Sequence, residues 1–139
     1  MPSPFIARPE LLDADPRTPT GRPVGWGVVA TGSIAATVTA DLVSLPDAVL
    51  AAVSSRRPDR ARAFAERFGA AAWYADDQVT VGLDGLLADP AVEVVYVATP
   101  HAQHAEVVRA ALTAGKSVLV EKPITVLSLI HISEPTRPY

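Results

Sequence analysis

Val24-Gly25-Trp26-Gly27-Val28-Val29-Ala30-Thr31-Gly32-Ser33-Ile34-Ala35 is the stretch that decides the fold. A short apolar run stops at a small-residue turn. A helical pattern follows at once, with Ile34, Val38, Leu42 and Leu45 at helical spacing. Strand, tight turn and helix in that order form a dinucleotide-binding fingerprint. Small residues are needed there because the backbone must approach a pyrophosphate closely. The free N–H groups and the dipole of the helix N-terminus then hold the phosphates. The pattern Gly-x-Gly-x-x-Gly/Ala reads here as Ala30-x-Gly32-x-x-Ala35, so Ala30 departs from it at the first position.

Outward from this turn the chain alternates strand and helix. Val24–Ala30 reads as the first strand and Ile34–Leu45 as its helix, with a turn at Pro46-Asp47. Ala48–Ser54 is the second strand. Pro58–Phe68 is the next helix, because Ala61, Phe64, Ala65 and Phe68 share one face and Gly69 supplies the cap. Ala71–Tyr74 is a short third strand, with Trp73 and Tyr74 expected to pack beneath helices. A short helix at Leu83–Leu87 ends at Asp89-Pro90. Val92–Ala98 is a β-branched fourth strand, Ala105–Ala114 a helix capped by Gly115, and Ser117–Val120 the fifth strand. Apolar strands alternating with amphipathic helices predict a parallel sheet covered on both faces. Right-handed crossovers make it an α/β, doubly wound Rossmann sheet ordered 3-2-1-4-5.

Bulk properties narrow the function. The 139 residues are 49% hydrophobic, with a mean hydropathy of +0.23, which fits one packed domain. A net charge of −3 argues against nucleic-acid binding. There is no cysteine, so disulfides and cysteine-ligated metals are excluded. No apolar run has the length of a membrane span, and the N-terminus lacks a signal-peptide pattern. The expected location is cytoplasmic. Residues 1–23 carry six prolines and no sustained period, and are read as a disordered leader or as residues upstream of the true start.

The cofactor is read at the end of the second strand. An acidic residue about 20 positions past the glycines would accept from the ribose 2′-OH of NAD. Ser54-Ser55-Arg56-Arg57 stands there instead, without a carboxylate. Ser55 can donate to a 2′-phosphate, and Arg56 can pair with it and stack on the adenine. This favours NADP(H), with NAD as the alternative. Asp59 reads as a first-turn helix residue. His101 and His104 are three apart, but no third ligand follows with metal-site spacing, so no metal is expected. His104 is expected to begin its helix and orient the preceding loop. Asp76-Asp77 is read as a loop-shaping pair.

These motifs together resemble the glucose–fructose oxidoreductase / inositol dehydrogenase (Gfo/Idh/MocA) family. The resemblance rests on Trp26–Ala35, Ser55-Arg56, Ala98-Thr99-Pro100 with His104, and Glu121-Lys122-Pro123, and covers about Val24 to Val126. His101 stands where relatives often carry Asn. The resemblance implies an NAD(P)-dependent oxidoreductase that moves hydride between nicotinamide and a sugar, cyclitol or related polyol. It implies cofactor contacts from Ala30, Thr31, Gly32, Ser33, Ile34, Ser55, Arg56, Thr99, Pro100, His104, Glu121 and Lys122. Lys122 would be the catalytic residue, polarising the substrate oxygen or relaying its proton. Glu121 is open between cofactor contact and a local bond that shapes the loop. Two other readings stay open: a different two-domain Rossmann reductase, and a nucleotide-sensing module without chemistry.

After Val126 the text changes character. Leu127-Ser128-Leu129-Ile130-His131-Ile132-Ser133-Glu134-Pro135-Thr136-Arg137 resembles a translated sequencing-library adapter. The expected organisation is therefore a leader (1–23), a dinucleotide-binding domain (24–126) and a non-native tail (127–139). The family's α+β substrate domain would be cut away, and the fragment alone would be inactive. Any homo-oligomer is expected to form through that second domain.

Overall fold

The computed structural model describes residues 15, 17–76 and 82–122. The elements run β1 (Val24–Val29), α1 (Ser33–Val43), β2 (Ala48–Ser55), α2 (Pro58–Phe68), β3 (Ala72–Ala75), α3 (Gly82–Ala88), β4 (Val94–Val97), a 3-10 turn (His101–Gln103), α4 (His104–Thr113) and β5 (Ser117–Val120). All strand pairs are parallel, in the order β3-β2-β1-β4-β5. The doubly wound sheet read from the sequence is the fold. The tail beyond Val126, Pro123 and Asp77 lie outside the described residues.

Two apolar layers sandwich the sheet. Val28, Ala35, Leu50, Val53, Phe64 and Tyr96 form one core with α1 and α2. On the other face, Val29, Val95 and Val97 meet Leu86 of α3 and Val107 and Ala111 of α4. Alternate strand residues feed opposite cores, as the pleat requires. Pro58 opens α2 at its first position, where its missing N–H costs nothing. Gly69 closes it in the left-handed region, at φ 77°, with its N–H on the Ala65 carbonyl at 2.8 Å. α1 ends at Val43 rather than Leu45. The Ser44 hydroxyl donates to the Asp41 carbonyl at 2.6 Å, and Leu45 N–H to Leu42 at 3.1 Å, which tightens the turn before Pro46.

A β-bulge breaks the β1–β2 register. Trp26 pairs with Leu50 and Gly27 with Ala52, so Ala51 is the extra residue. Ala51 and Ala52 both join the α3/α4 core, and alternation resumes with Val53 on the opposite face. The bulge therefore resets which face each later residue of β2 presents.

The amino edge reaches back past the expected boundary at Val24. Thr20 donates its backbone N–H and its hydroxyl, the latter at 2.7 Å, to the Asp47 carboxylate. These bonds, the backbone one foremost, hold Asp47 below the usual carboxylate range. Glu93 accepts from Arg22 at 3.2 Å and from Gly25 N–H at 3.0 Å. Thr20 and Arg22 are thus bonded to the residues just before β2 and β4.

Trp73 corrects one expectation. It is 43% exposed on the edge strand β3 rather than covered by a helix. Its neighbour Tyr74 is half-buried, with its hydroxyl on Asp89 at 2.9 Å. Among the described residues no helix is long and apolar enough to cross a membrane.

Candidate functional site at the carboxyl edge of the sheet

Four loops leave the carboxyl edge side by side, because parallel strands all end there. Three backbone bonds tie them together. Ala30 N–H donates to Ser54 O at 2.9 Å, Ala98 N–H to Val29 O at 3.1 Å, and Glu121 N–H to Val97 O at 3.1 Å. The ladder thus continues one residue past the strands. It brings Ala30–Ile34, Ser55-Arg56, Thr99-Pro100 and Glu121-Lys122 to one edge. The chain reverses direction across the sheet between β1 and β4, the place where open α/β sheets bind ligands.

The turn after β1 leaves the start of α1 open. Gly32 is the N-cap of α1 and offers no side-chain cap bond. Gly32, Ser33 and Ile34 are exposed. A Cβ placed on Gly32 meets no atom within 4 Å, and its φ of −78° suits any residue. The small residue is therefore demanded by neither packing nor backbone conformation. It leaves space over the uncapped N-terminus of an 11-residue helix. Ala30 lies in the left-handed region at φ 88°. The turn keeps a glycine-like backbone there although the residue is alanine.

At the end of β2 the two arginines part company. Arg57 is held by Asp59, with Nε on Oδ1 at 3.1 Å and Nη2 on Oδ2 at 2.8 Å. That pairing lowers the Asp59 pKa and explains the acid in the first turn of α2. Arg56 is exposed and has no ion pair among the described residues. The Thr31 hydroxyl donates to that of Ser55 at 3.4 Å. An open cleft of about 270 Å³ lies beside Thr31, lined by Arg60, Ala63, Phe64 and Arg67 of α2. Sequence reasoning missed Arg60 and Arg67. The signal was their spacing around Ala63 and Phe64, which puts two cations along one helix face. A larger cavity, about 480 Å³, lies between α3 and α4. It is remote from the carboxyl edge and lined largely by alkyl groups.

His104 begins α4 and is fully buried. Its Nε2 is 2.8 Å from the Thr99 carbonyl oxygen. A carbonyl only accepts, so Nε2 carries the proton. The ring thus bonds the Thr99-Pro100 loop from the buried side. Among the described residues, buried Thr99 Oγ1 has no hydrogen-bond partner. That orphaned hydroxyl and the open space over Gly32 both fit a dinucleotide seated along this edge. His101 stacks edge-on to His104 at 5.5 Å. Among the described residues no His/Cys/Asp/Glu cluster has a metal-binding arrangement.

Glu121 and Lys122 follow β5. Lys122 is exposed in this chain. Glu121 is half-buried and accepts from the Tyr96 hydroxyl at 2.5 Å. Tyr96, 2% exposed, was not singled out by sequence reasoning. Burial, then the bond to Glu121 and its charge, push its phenol pKa well above the ordinary value.

Fold and edge together define a dinucleotide-binding domain. The description of an oxidoreductase family with an NAD-binding Rossmann fold, GFO_IDH_MocA, matches residues 24–134, and the chain belongs to that family. D-xylose 1-dehydrogenase (NADP(+)) of Hypocrea jecorina is 41% identical over 111 residues, covering 73% of this chain and 27% of that protein. Mouse trans-1,2-dihydrobenzene-1,2-diol dehydrogenase is 42% identical over 103 residues, covering 73% and 29%. Among solved structures, the 3-ketoreductase KijD10 of Actinomadura kijaniata, in complex with NADP and TDP-benzene, superposes with a TM-score of 0.67. It is 39% identical, with 75% of this chain and 30% of that chain covered. GenD2 from gentamicin A biosynthesis, in complex with NAD, gives 0.66 at 35% identity, covering 75% and 28%. The chain spans under a third of the length of each of these relatives.

Proposed function

We propose that this chain is the cofactor-binding half of an NADP(H)-preferring oxidoreductase acting on a sugar, cyclitol or related polyol. The observation that carries the reading is the laddered carboxyl edge, which joins the uncapped α1 N-terminus to the Glu121-Lys122 turn. When bound, the nicotinamide accepts or delivers the hydride. The chain's own residues do the rest. N–H groups at Gly32, Ser33 and Ile34 receive the pyrophosphate, with Ala30 and Thr31 shaping the turn. Ser55 and Arg56, assisted by Arg60, receive the 2′-phosphate. Thr99 and Pro100 line the middle of the cofactor, with His104 bracing them. Glu121 faces the ribose next to the nicotinamide. The Lys122 ammonium hydrogen-bonds the substrate oxygen and relays its proton.

Arg56 supports the choice of phosphate, since it is the cation at this strand end that no carboxylate engages among the described residues. The xylose and dihydrodiol relatives, by name, act on hydroxyl-bearing substrates, which supports the substrate class. A cytoplasmic location and no nucleic-acid partner complete the proposal. Equilibrium titration of the chain with NADPH and NADH tests it, followed by oxidation assays on a form extended through a complete substrate domain. NADPH should bind more tightly, and only the extended form should turn over. Absence of binding by either nucleotide overturns the reading.

A further inference from the structure

We propose that Tyr96 is a positioning residue, which acts through Glu121 to hold a carboxylate against the nicotinamide half of the cofactor. The inference rests on the dinucleotide-binding reading and deepens it. Tyr96 pairs directly with Leu119 across β4 and β5. Glu121 follows two residues later, so its side chain lies on the same sheet face as Leu119 and Tyr96. This is the face that also carries α1 and its phosphate turn. The Tyr96 ring is locked in that core, and only its hydroxyl reaches the edge.

A phenylalanine would fill the ring's volume equally well. The hydroxyl has one described protein partner, Glu121 Oε1, at 2.5 Å. A hydrogen bond to an ionised acceptor is short, strong and directional. Glu121 is also fixed through its backbone, by the bond from its N–H to Val97 O at 3.1 Å. Its second oxygen, Oε2, accepts from no described residue. A carboxylate pinned at one oxygen and open at the other is suited to take a hydroxyl donor from a ligand, such as ribose. The same pinning fixes the point from which Lys122 departs.

The experiment separates the two ends of the cofactor. The chain, Tyr96→Phe, Glu121→Gln and the double variant are each titrated with NADPH and with 2′,5′-ADP, which carries only the adenosine half. Circular dichroism checks folding; Glu121→Gln, at a half-buried site, serves if Tyr96→Phe does not fold. Each single variant should bind NADPH about 10- to 100-fold more weakly, as expected for a lost hydrogen bond at a charged group. Binding of 2′,5′-ADP should stay within about twofold of the unaltered chain. The double variant should be no worse than Glu121→Gln, because Tyr96 acts only through that carboxylate. Additive losses, equal losses for both ligands, or no loss for NADPH would each overturn the proposal while leaving the domain's cofactor reading intact. An unaltered chain that gains nothing from the nicotinamide half also overturns it. An unaltered chain that binds neither ligand overturns the cofactor reading and the proposal together.

Discussion

The Thr31 hydroxyl lies 3.4 Å from the Ser55 hydroxyl, so the phosphate turn and the end of β2 meet directly. The bulge at Ala51 makes this meeting possible. Had the same sequence run on from Leu50 without a bulge, Ser55 would fall on the opposite face of the sheet, because a one-residue slip inverts every later side chain. One small irregularity thus joins the turn after β1 to the end of β2, the two places proposed to receive the pyrophosphate and the 2′-phosphate.

Gly32→Ala should separate binding from stability. The position has ordinary φ and open space, so the methyl group disturbs nothing in the chain. Its effect on stability should lie within about 0.5 kcal/mol. The methyl would occupy the space over the α1 N-terminus, and NADPH affinity should fall by about tenfold or more. Melting curves and NADPH titration on one preparation check both halves. A matched loss of stability would show that Gly32 serves the fold instead.

Arg56→Ala should weaken NADPH by about 10- to 100-fold, the range for hydrogen bonds to a charged group. NADH should change little, because it lacks the 2′-phosphate. Arg57→Ala is the control. Arg57 is committed to Asp59, so its loss should leave the NADPH-to-NADH ratio near that of the unaltered chain. Equal effects of Arg56→Ala on both nucleotides would refute the phosphate assignment.

The frame of this site was legible in the sequence because its markers are local. Pro58 and Gly69 bracket α2, and β-branched Val94, Val95 and Val97 announce β4. The bulge was not legible. Alanine fits either sheet face, so the run AVLAAVS carries no parity signal at Ala51 and Ala52. The Tyr96–Glu121 bond spans 25 residues, and an apolar strand pattern marks Tyr96 as buried without naming its partner. Trp73 was misjudged because a four-residue edge strand leaves one face uncovered. Arg60 and Arg67 were passed over because cations on an amphipathic helix read as solvated charges until Thr31 is seen across the cleft.

Alkaline stability should depend on Tyr96. Its folded-state pKa is raised above the ordinary value of 10.0, by burial first and then by Glu121. A group with a raised folded pKa gives stability that is fully present below the unfolded pKa and lost as pH climbs towards the folded one. The melting temperature should therefore fall as pH rises beyond about 10. Tyr96→Phe should flatten part of that fall. Tyr74, raised by burial and by Asp89, accounts for a further part. Thermal melts between about pH 9 and 11.5 decide the matter. An unchanged slope in Tyr96→Phe would remove Tyr96 from the explanation.

Ala30→Gly should stabilise the chain. Ala30 is the non-glycine residue with positive φ among the described residues, at 88°. Its Cβ makes the left-handed region costly by about 1–2 kcal/mol. Glycine removes that cost, but its unfolded chain has more freedom to lose, which returns about 0.5–1 kcal/mol. The net gain should be about 0.5–1 kcal/mol, or a few degrees in melting temperature. Ala30→Val tests the same argument from the other side. A β-branched residue is less tolerant of positive φ, so this variant should melt below the unaltered chain. NADPH binding by Ala30→Gly should be unchanged or tighter, because glycine lets the backbone approach the pyrophosphate without a methyl group in between. A lower melting temperature for Ala30→Gly would mean that the alanine methyl contributes more by packing than its backbone conformation costs.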